Sequence, residues 1–577
     1  MANKVCHAGE GRHPVTDNID IWITAQIPKN GAGRGNGSAN QGLYGVKKLR
    51  ELILELAVRG KLVPQDPKDE PASILLEKIA KEKARLIKEG KIKKDKPLPE
   101  ISEDETLFVL PKGWAYTRNG YLFRLRKGKN PKILSEENIG YPYLDIEALD
   151  RDNIQRYTND EKCPRSTDKD ILVVCDGSRS GLVLNGKNGV VGSTLAVIDT
   201  PSLIQAYVKL LFQEAFQRLN TTMKGAAIPH LDTKNLIIEI IGLPPHKEQL
   251  RIVAKVDELM ALCDKLEQQQ ADSNAAHQTL VETLLATLTS VANANEFKEA
   301  WQRIADHFDI LFTTEQSIDQ LKQTILQLAV MGKLVPQDPN DEPASVLLEK
   351  IAKEKARLIK ERIIKKEKPL PEITENEKIF KLPNGWEWVR LEEMTKKITD
   401  GEHLSPPKAI EGVLLLTAKN VLDNGLTTES PQYVSKEDAI KFRLRCDPEL
   451  GDVLICSRGT IGRCCVVNIM DYFSLMGSVI QVRTFEELNP YYLNILFKSK
   501  TGELFITGMT KGMAVNALYL KDIKFSPVPL PPLAEQRRIV AKVDVLMAFC
   551  DKLKSRLQEA QTTQIHLADA IVEQAVV

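Results

Sequence analysis

The sequence predicts an α+β fold: two globular α/β regions separated by two long antiparallel helices and related by a pseudo-two-fold internal repeat. Three observations lead there. Long blocks of the chain recur almost unchanged. The ends of those blocks carry a helical heptad pattern. The stretches between them differ from each other and read as short strands between turns.

The repeat comes first. Residues 49–114 and 321–386 match at about 50 of roughly 66 positions, at an offset of about 272. Both contain Leu-Val-Pro-Gln-Asp-Pro, both continue into Lys-Pro-Leu-Pro-Glu-Ile, and they end at Gly113-Trp114 and Gly385-Trp386. A second pair, 243–266 and 530–553, matches at an offset of about 287. The change of offset means that the second variable segment, about 387–528, is longer than the first, about 115–241, by about 15 residues. Asn18 to Thr24 resembles His307 to Thr313, so the unit wraps around from one end of the chain to the middle. A Gly-rich stretch, Lys29 to Gly42, reads as a flexible loop.

Each element has its own signal. Leu-Pro-Pro before Glu248 and before Glu535 marks a chain turning into a helix, because proline suits the first turn. Ile252, Val256, Leu259, Cys263 and Leu266 then form a heptad seam, continued by Gln270, Ser273, His277, Leu280 and Leu284. The second copy gives Ile539, Val543, Leu546, Cys550, Leu553 and Leu557, then Ala560, Leu567 and Ile571. Residues 72–94 predict an amphipathic helix with Leu75, Ile79, Leu86 and Ile87 inward; its charged face is solvated or docks a partner. In the variable segments, 141–146, 170–175, 413–417, 452–456, 464–467 and 479–482 predict strands, while 207–212 and 490–497 predict helices.

Composition removes several classes. The chain has 577 residues with 79 Lys and Arg against 78 Asp and Glu, a net charge of +1. That balance argues against coating nucleic acid by bulk charge, though not against a local basic face. No apolar run is long enough for a membrane helix, and the first residues lack the apolar core of a signal peptide. Nine scattered cysteines form no Cys-x-x-Cys, which counts against zinc fingers and disulfide frameworks and places the chain in a reducing cytoplasm. No P-loop and no glycine-rich cofactor loop occur, so the chain reads as non-catalytic, with no cofactor or metal of its own.

What remains is a binding pattern. Arg118, Arg124, Arg126, Lys127, Lys129 and Lys132 form a basic stripe with Tyr121 and Phe123 interleaved, and Asn130 lies in it. Such a stripe suits phosphate contact; a solvated loop explains it too. Two Gly/Ser loops follow predicted strands. One carries Ser178 and Arg179, the other Ser457, Arg458, Thr460 and Arg463. Arginine on such a loop can reach a guanine edge, and an ordinary hairpin turn accounts for the same residues. Lys187, Lys419 and Asn420 lie on further loops, and Lys224, His230, Lys511 and Asn516 lie near the ends of the variable segments. All are candidate DNA contacts.

These motifs resemble the specificity subunits of type I restriction–modification systems. Leu-Pro-Pro-x-x-Glu-Gln-x-x-Ile-Val at 243–253 and 530–540 resembles the start of that family's conserved helices. Leu110 to Trp114 and Leu382 to Trp386 resemble the start of its target recognition domains, and Asp170-Ile171-Leu172 and Gly451 to Ile455 its central strand motif. Lys169 stands where the second copy has Gly451, a departure at the turn. The Leu-Val-Pro-Gln-Asp-Pro block is similar to the EcoAI-like (type IB) branch. The resemblance implies an N-terminal segment 1–48, a helical region 49–113, a first target recognition domain 114–241 and a long helix 242–292. It then implies a linker with second helical region 293–385, a second target recognition domain 386–528 and a closing helix 529–577. It further implies that each domain reads one half of an asymmetric bipartite DNA site. The helices would set the spacer and dock two modification subunits, with restriction subunits joining later. S-adenosylmethionine, ATP and Mg are expected on those partners. The rival reading is a coiled-coil scaffold whose inserts bind proteins.

Overall fold

The computed structural model describes residues 15–26, 43–94, 96–105, 109–221, 230–291, 294–366, 369–407, 409–429, 432–507 and 517–576. The chain forms two compact units. The first comprises residues up to 273 together with 560–577; the second comprises 274–559.

In the first unit, helix Tyr44–Val58 buries Leu49, Leu52, Ile53 and Leu56, the stripe of a 3.6-residue period. These side chains share one core with Ile252, Val256, Leu259 and Cys263 of helix His246–Ser290, and with Ala568 of helix Leu533–Val576. Polar contacts fix both partners: Arg50 reaches Asp264 at 2.6 Å and Glu267 at 2.9 Å, and the Tyr44 hydroxyl donates to Asp569 at 2.7 Å. Helix Ala72–Lys88 buries Ala72, Leu75 and Ile79, and Arg85 pairs with Glu82 and Glu89 on its outer face. The sequence reading ran this helix to 94. It ends at Lys88 because Gly90 takes a positive φ of 67°, and its N–H closes the last turn on Ile87.

The second unit repeats the plan. Helix Glu315–Val330 opens with a Thr314/Ser317 capping box and buries Ile318, Leu321 and Ile325. Its core includes Ile539, Val543 and Cys550, and also Val281, Leu285 and Leu288 from the far half of helix His246–Ser290. Each unit thus completes its core with the distal part of a helix that begins in the other.

The heptad seam needs correction in those distal parts. Leu280 is 50% exposed, while Val281, Leu285 and Leu288 are buried; Leu567 is 46% exposed, while Ala568 is buried. Cys263 to Val281 (281 − 263 = 18) and Cys550 to Ala568 (568 − 550 = 18) are both 18 residues, five turns at 3.6 residues each. A straight helix keeps that period, whereas a strict heptad drifts by about 20° per repeat.

The two variable segments share a stem and the order of a four-stranded sheet despite their faint sequence similarity. Each stands on a two-stranded antiparallel stem, Ala115–Arg118 with Ile240–Leu243 and Glu387–Arg390 with Pro527–Leu530. Above the first stem, a four-stranded sheet runs in the order Arg124–Lys127, Leu195–Asp199, Ile171–Val174, Val183–Asn185. The second has Thr395–Asp400, Val479–Thr484, Val453–Cys456, Cys464–Val466 in the same order. A second sheet in each contains one parallel pair, Tyr141–Leu144 with Gly189–Val191 and Val413–Leu416 with Phe473–Leu475. The strand Ile171–Val174 reads as a continuous apolar run because both faces are covered. Leu172 and Val174 enter one cluster, Ile171 and Val173 another. Leu454 and Cys456 divide from Val453 and Ile455 in the same way.

Candidate nucleic-acid interface

In each variable segment, or reader, the central strand ends in the loop that carries the sequence-predicted contacts. A turn leads into it, closed in both copies by the same aspartate. Asp170 accepts from the Thr167 N–H at 2.6 Å, and Asp452 accepts from the Glu449 N–H at 2.8 Å. Gly451 sits at a φ of +89°, whereas Lys169 is not among the residues with positive φ, so the first copy makes the turn without a glycine. Asp452 is buried and additionally holds Arg483, with Nε at 2.9 Å and Nη2 at 3.0 Å.

In the first reader the loop after Ile171–Val174 turns at Gly177 and Gly181, both at positive φ. The Ser180 hydroxyl donates to the Cys175 carbonyl at 3.1 Å, and Asn220 donates to the Ser178 carbonyl at 2.8 Å. Ser178 and Arg179 remain exposed at its tip. Asp176 gathers two candidates from distant segments: Lys127 at 3.1 Å and His230 Nδ1 at 2.7 Å. Burial raises the Asp176 carboxyl, but hydrogen bonds from His230 and Lys127 outweigh it and hold the group below its ordinary value. Arg126 is forked onto Asp199 at 3.1 Å and donates to the Arg165 carbonyl at 2.9 Å; Arg165 in turn stacks 3.7 Å over the Tyr141 ring. Arg179 pairs with Asp150 at 2.8 Å, and Lys187 pairs with Asp152 and donates to the Ala148 carbonyl at 3.1 Å. Lys129 and Asn130 are exposed, Asn130 accepting from the Tyr143 hydroxyl at 3.2 Å. Arg124 is half-buried.

Arg118 does not belong to the stripe. It is 3% exposed and directs its guanidinium inward, donating to the carbonyls of Pro99, Glu100 and Ile238 and to Glu105. Arg390 makes the same set of contacts in the second copy, with Pro371, Glu372, Phe525 and Glu377.

In the second reader the loop after Val453–Cys456 exposes Arg458 and Thr460, with Gly459 and Gly462 at positive φ. Arg463 is half-buried and donates to the Val421 carbonyl at 3.4 Å. Two candidates are corrected. Ser457 is buried and its hydroxyl donates to the Gly477 carbonyl at 3.2 Å. Asn420 is also buried; it accepts from the Thr417 N–H at 3.0 Å and donates to the Thr427 carbonyl at 3.1 Å, so it shapes a turn and offers no free edge. Lys419 beside it is exposed. Lys224, Lys511 and Asn516 lie outside the described residues.

The sequence reading missed one exposed cluster in this reader. Asp400 pairs with Arg445 and with His403 Nε2 at 3.0 Å, and Arg445 lies 3.3 Å from His403. It parallels the Asp176, Lys127 and His230 group of the first reader. The cluster joins a strand end to Arg445, 45 positions away, which spacing along the chain does not reveal. Among the described residues no group of histidine, cysteine and carboxylate side chains could hold a metal, and no helix is long and apolar enough to cross a membrane.

Comparisons with known proteins agree with the duplicated architecture. The family described as the type I restriction modification DNA specificity domain matches twice, over residues 111–273 and 383–561. The chain is 40% identical to the type I restriction enzyme EcoEI specificity subunit of Escherichia coli, over 97% of this chain and 99% of that one. It is likewise 40% identical to the EcoAI specificity subunit of Escherichia coli, with the same coverage. A solved HsdS subunit from Thermoanaerobacter tengcongensis aligns over 82% of this chain and 98% of its own at 20% identity and a TM-score of 0.36. Two matches to the family, each covering one reader and the larger part of the helix that follows it, together with 40% identity over near full length, place the chain: it belongs to the type I restriction–modification specificity subunits.

Proposed function

We propose that this chain is the non-catalytic subunit that gives a type I restriction–modification complex its DNA sequence specificity. Each reader takes one half of an asymmetric bipartite site in double-stranded DNA, and the long helices set the spacer and dock two modification subunits. Restriction subunits join that assembly, and S-adenosylmethionine, ATP and Mg act on the partners, in the bacterial cytoplasm. The observation that carries this reading is the pairing of one fold with two chemistries. The readers share a stem and the strand order of the four-stranded sheet, yet one exposes Arg126, Lys127, Lys129 and Arg179 while the other exposes Arg458, Thr460 and Lys419. Different side chains on one frame suit two different half-sites.

Arg126, Lys127, Arg179 and Lys187 are already paired with carboxylates, so contact with DNA through them must exchange those ion pairs for phosphates. The lone chain is therefore expected to bind DNA weakly and with strong salt dependence, and the assembly tightly. Exchanging residues 115–241 for the reader of another such subunit tests the proposal. Sequencing of modified bases in cells should show one half of the methylated site replaced and the other retained; an unaltered site would refute DNA reading by this segment.

A further inference from the structure

Two buried glutamates stand apart from the exposed candidate contacts. Glu248 and Glu535 are each 1% exposed, in the first turn of a long helix. Glu248 accepts from the Trp114 indole N–H at 3.1 Å and from the Gln65 amide at 3.3 Å. Glu535 accepts from Trp386 at 2.9 Å and from Gln337 at 3.1 Å. Burial raises both carboxyls above the ordinary value, and the tryptophan and glutamine donors oppose that rise.

The surroundings repeat as closely. Gln65 also donates to the Gly60 carbonyl at 2.6 Å, and Gln337 to the Gly332 carbonyl at 2.7 Å. Gly60 and Gly332 both sit at a φ of +69° against the tryptophan ring, where a Cβ would come within 2.8 Å of Trp114 or 3.1 Å of Trp386. One turn further along each helix, Arg251 reaches Asp69 at 2.7 Å and Arg538 reaches Asp341 at 2.5 Å. Gln65 and Asp69, like Gln337 and Asp341, belong to the Leu-Val-Pro-Gln-Asp-Pro-x-Asp loop.

The tryptophans occupy a decisive place. Trp114 immediately precedes stem strand Ala115–Arg118, whose partner Ile240–Leu243 runs through Pro244 and Pro245 into the helix. Trp386 stands in the same relation to its stem. One hydrogen-bonded knot thus ties the incoming strand of a reader to the helix that leaves it. It contains no residue from the sheets that carry the candidate contacts. Both readers have diverged, and the knot has not.

We propose that Glu248 and Glu535 are positioning residues, each locking the stem of its reader to its long helix so that the chain accepts one spacing between the two half-sites. The inference rests on the function proposed above. Adding one base pair to a spacer moves a half-site by about 3.4 Å and turns it by about 35°. A stem held through a buried carboxylate, an indole and an amide resists that turn, and a released stem yields to it.

The test uses the full chain assembled with its modification subunits. Sequencing of modified bases gives the native site, and synthetic duplexes then carry the native spacer or one base pair more or fewer. Wild type is expected to methylate the native spacer far faster than either neighbour. Glu248→Ala, Glu535→Ala, Trp114→Phe and Trp386→Phe should shrink that ratio about tenfold with the half-site bases unchanged, the loss expected from breaking a buried charge-assisted hydrogen bond. Glu248→Gln, which keeps an acceptor for the indole, should restore much of it. Should the alanine variants fail to fold, the phenylalanine variants carry the test, since they keep a buried aromatic six-membered ring and lose the N–H donor together with the pyrrole half of the indole. A wild-type spacer ratio in the phenylalanine variants overturns the proposal, as does a loss common to all spacers. A wild-type modification map without a bipartite site would instead sink the function proposed above, and this inference with it.

Discussion

Arg118 and Arg390 are the sharpest place to separate a structural arginine from a DNA-binding one. Replacing Arg390 by alanine removes one buried guanidinium and its donations to three carbonyls and the Glu377 carboxylate. A buried pair broken on one side costs about 3–5 kcal/mol when the remaining charge stays buried. Here Glu377 keeps 24% of its side chain exposed, and Pro371 and Glu372 are exposed residues, so water replaces part of what is lost. About 2–3 kcal/mol is the figure that remains, the cost of one hydrogen bond to a charged group. The second unit spans 286 residues (559 − 274 + 1), for which each kcal/mol moves the midpoint by about 2 °C. Calorimetry of the purified chain should therefore show the melting of one unit lowered by about 4–6 °C. Arg118→Ala should do the same to the other unit, because its contacts match one for one. A shift below about 1 °C in both variants would refute the reasoning. So would a loss of DNA affinity in Arg118→Ala with an unchanged midpoint, which would return Arg118 to the basic stripe.

Three further outcomes are expected. Gly332→Ala puts a Cβ 2.4 Å from Pro383 at a positive φ and should cost about 2–3 kcal/mol in urea unfolding. Gly90→Ala, also at positive φ but with open space around it, should cost only about 1 kcal/mol, and equal costs would count against the tryptophan packing. Arg390 hydrogen bonds hold the Glu377 carboxyl down from 4.5 to about 2. Its stabilisation is present above pH 4.5 and lost as pH falls towards 2, so Arg390→Ala should flatten the acid limb of stability in that window; an unchanged limb would contradict the pairing. Burial pushes the thiols of Cys175 and Cys263 up to about 11 and those of Cys446, Cys464 and Cys465 up to about 12. A thiol reagent near neutral pH should label these five only after unfolding, and rapid native labelling located by mass spectrometry would disprove their burial.

Much of the fold was legible because burial on both faces leaves plain marks. The runs Ile171–Val174 and Val453–Cys456 read as strands from their unbroken apolar sequence, and near-identity exposed the duplication. Distal packing was not legible. A heptad carried on from Cys263 leads to Leu280, whereas the core takes Val281. The candidate site was legible only in outline. Gly/Ser loops after the central strands were placed correctly, but a lone arginine or serine does not announce its partner. Asp176 lies 49 residues from Lys127, and Asp199 lies 73 residues from Arg126. Ser457 and Asn420 have the composition of exposed turns and are used inward. The Trp114 to Glu248 link did have a signal. Gly-Trp and Leu-Pro-Pro-x-x-Glu-Gln recur together in both copies, although their differing offsets hide that they meet.

The core of the first unit also imposes a timetable on synthesis. Ala568 and Asp569 complete the packing of helix Tyr44–Val58, yet 286 residues (559 − 274 + 1) of the second unit are made before residue 560. At about 5–20 residues per second a nascent chain waits roughly 15–60 s with that seam open. The Tyr44 hydroxyl and the apolar residues that share a core with Ala568 lack these partners in the meantime, and a product that stops early never acquires them. Premature termination is thereby marked on the surface of the half already made.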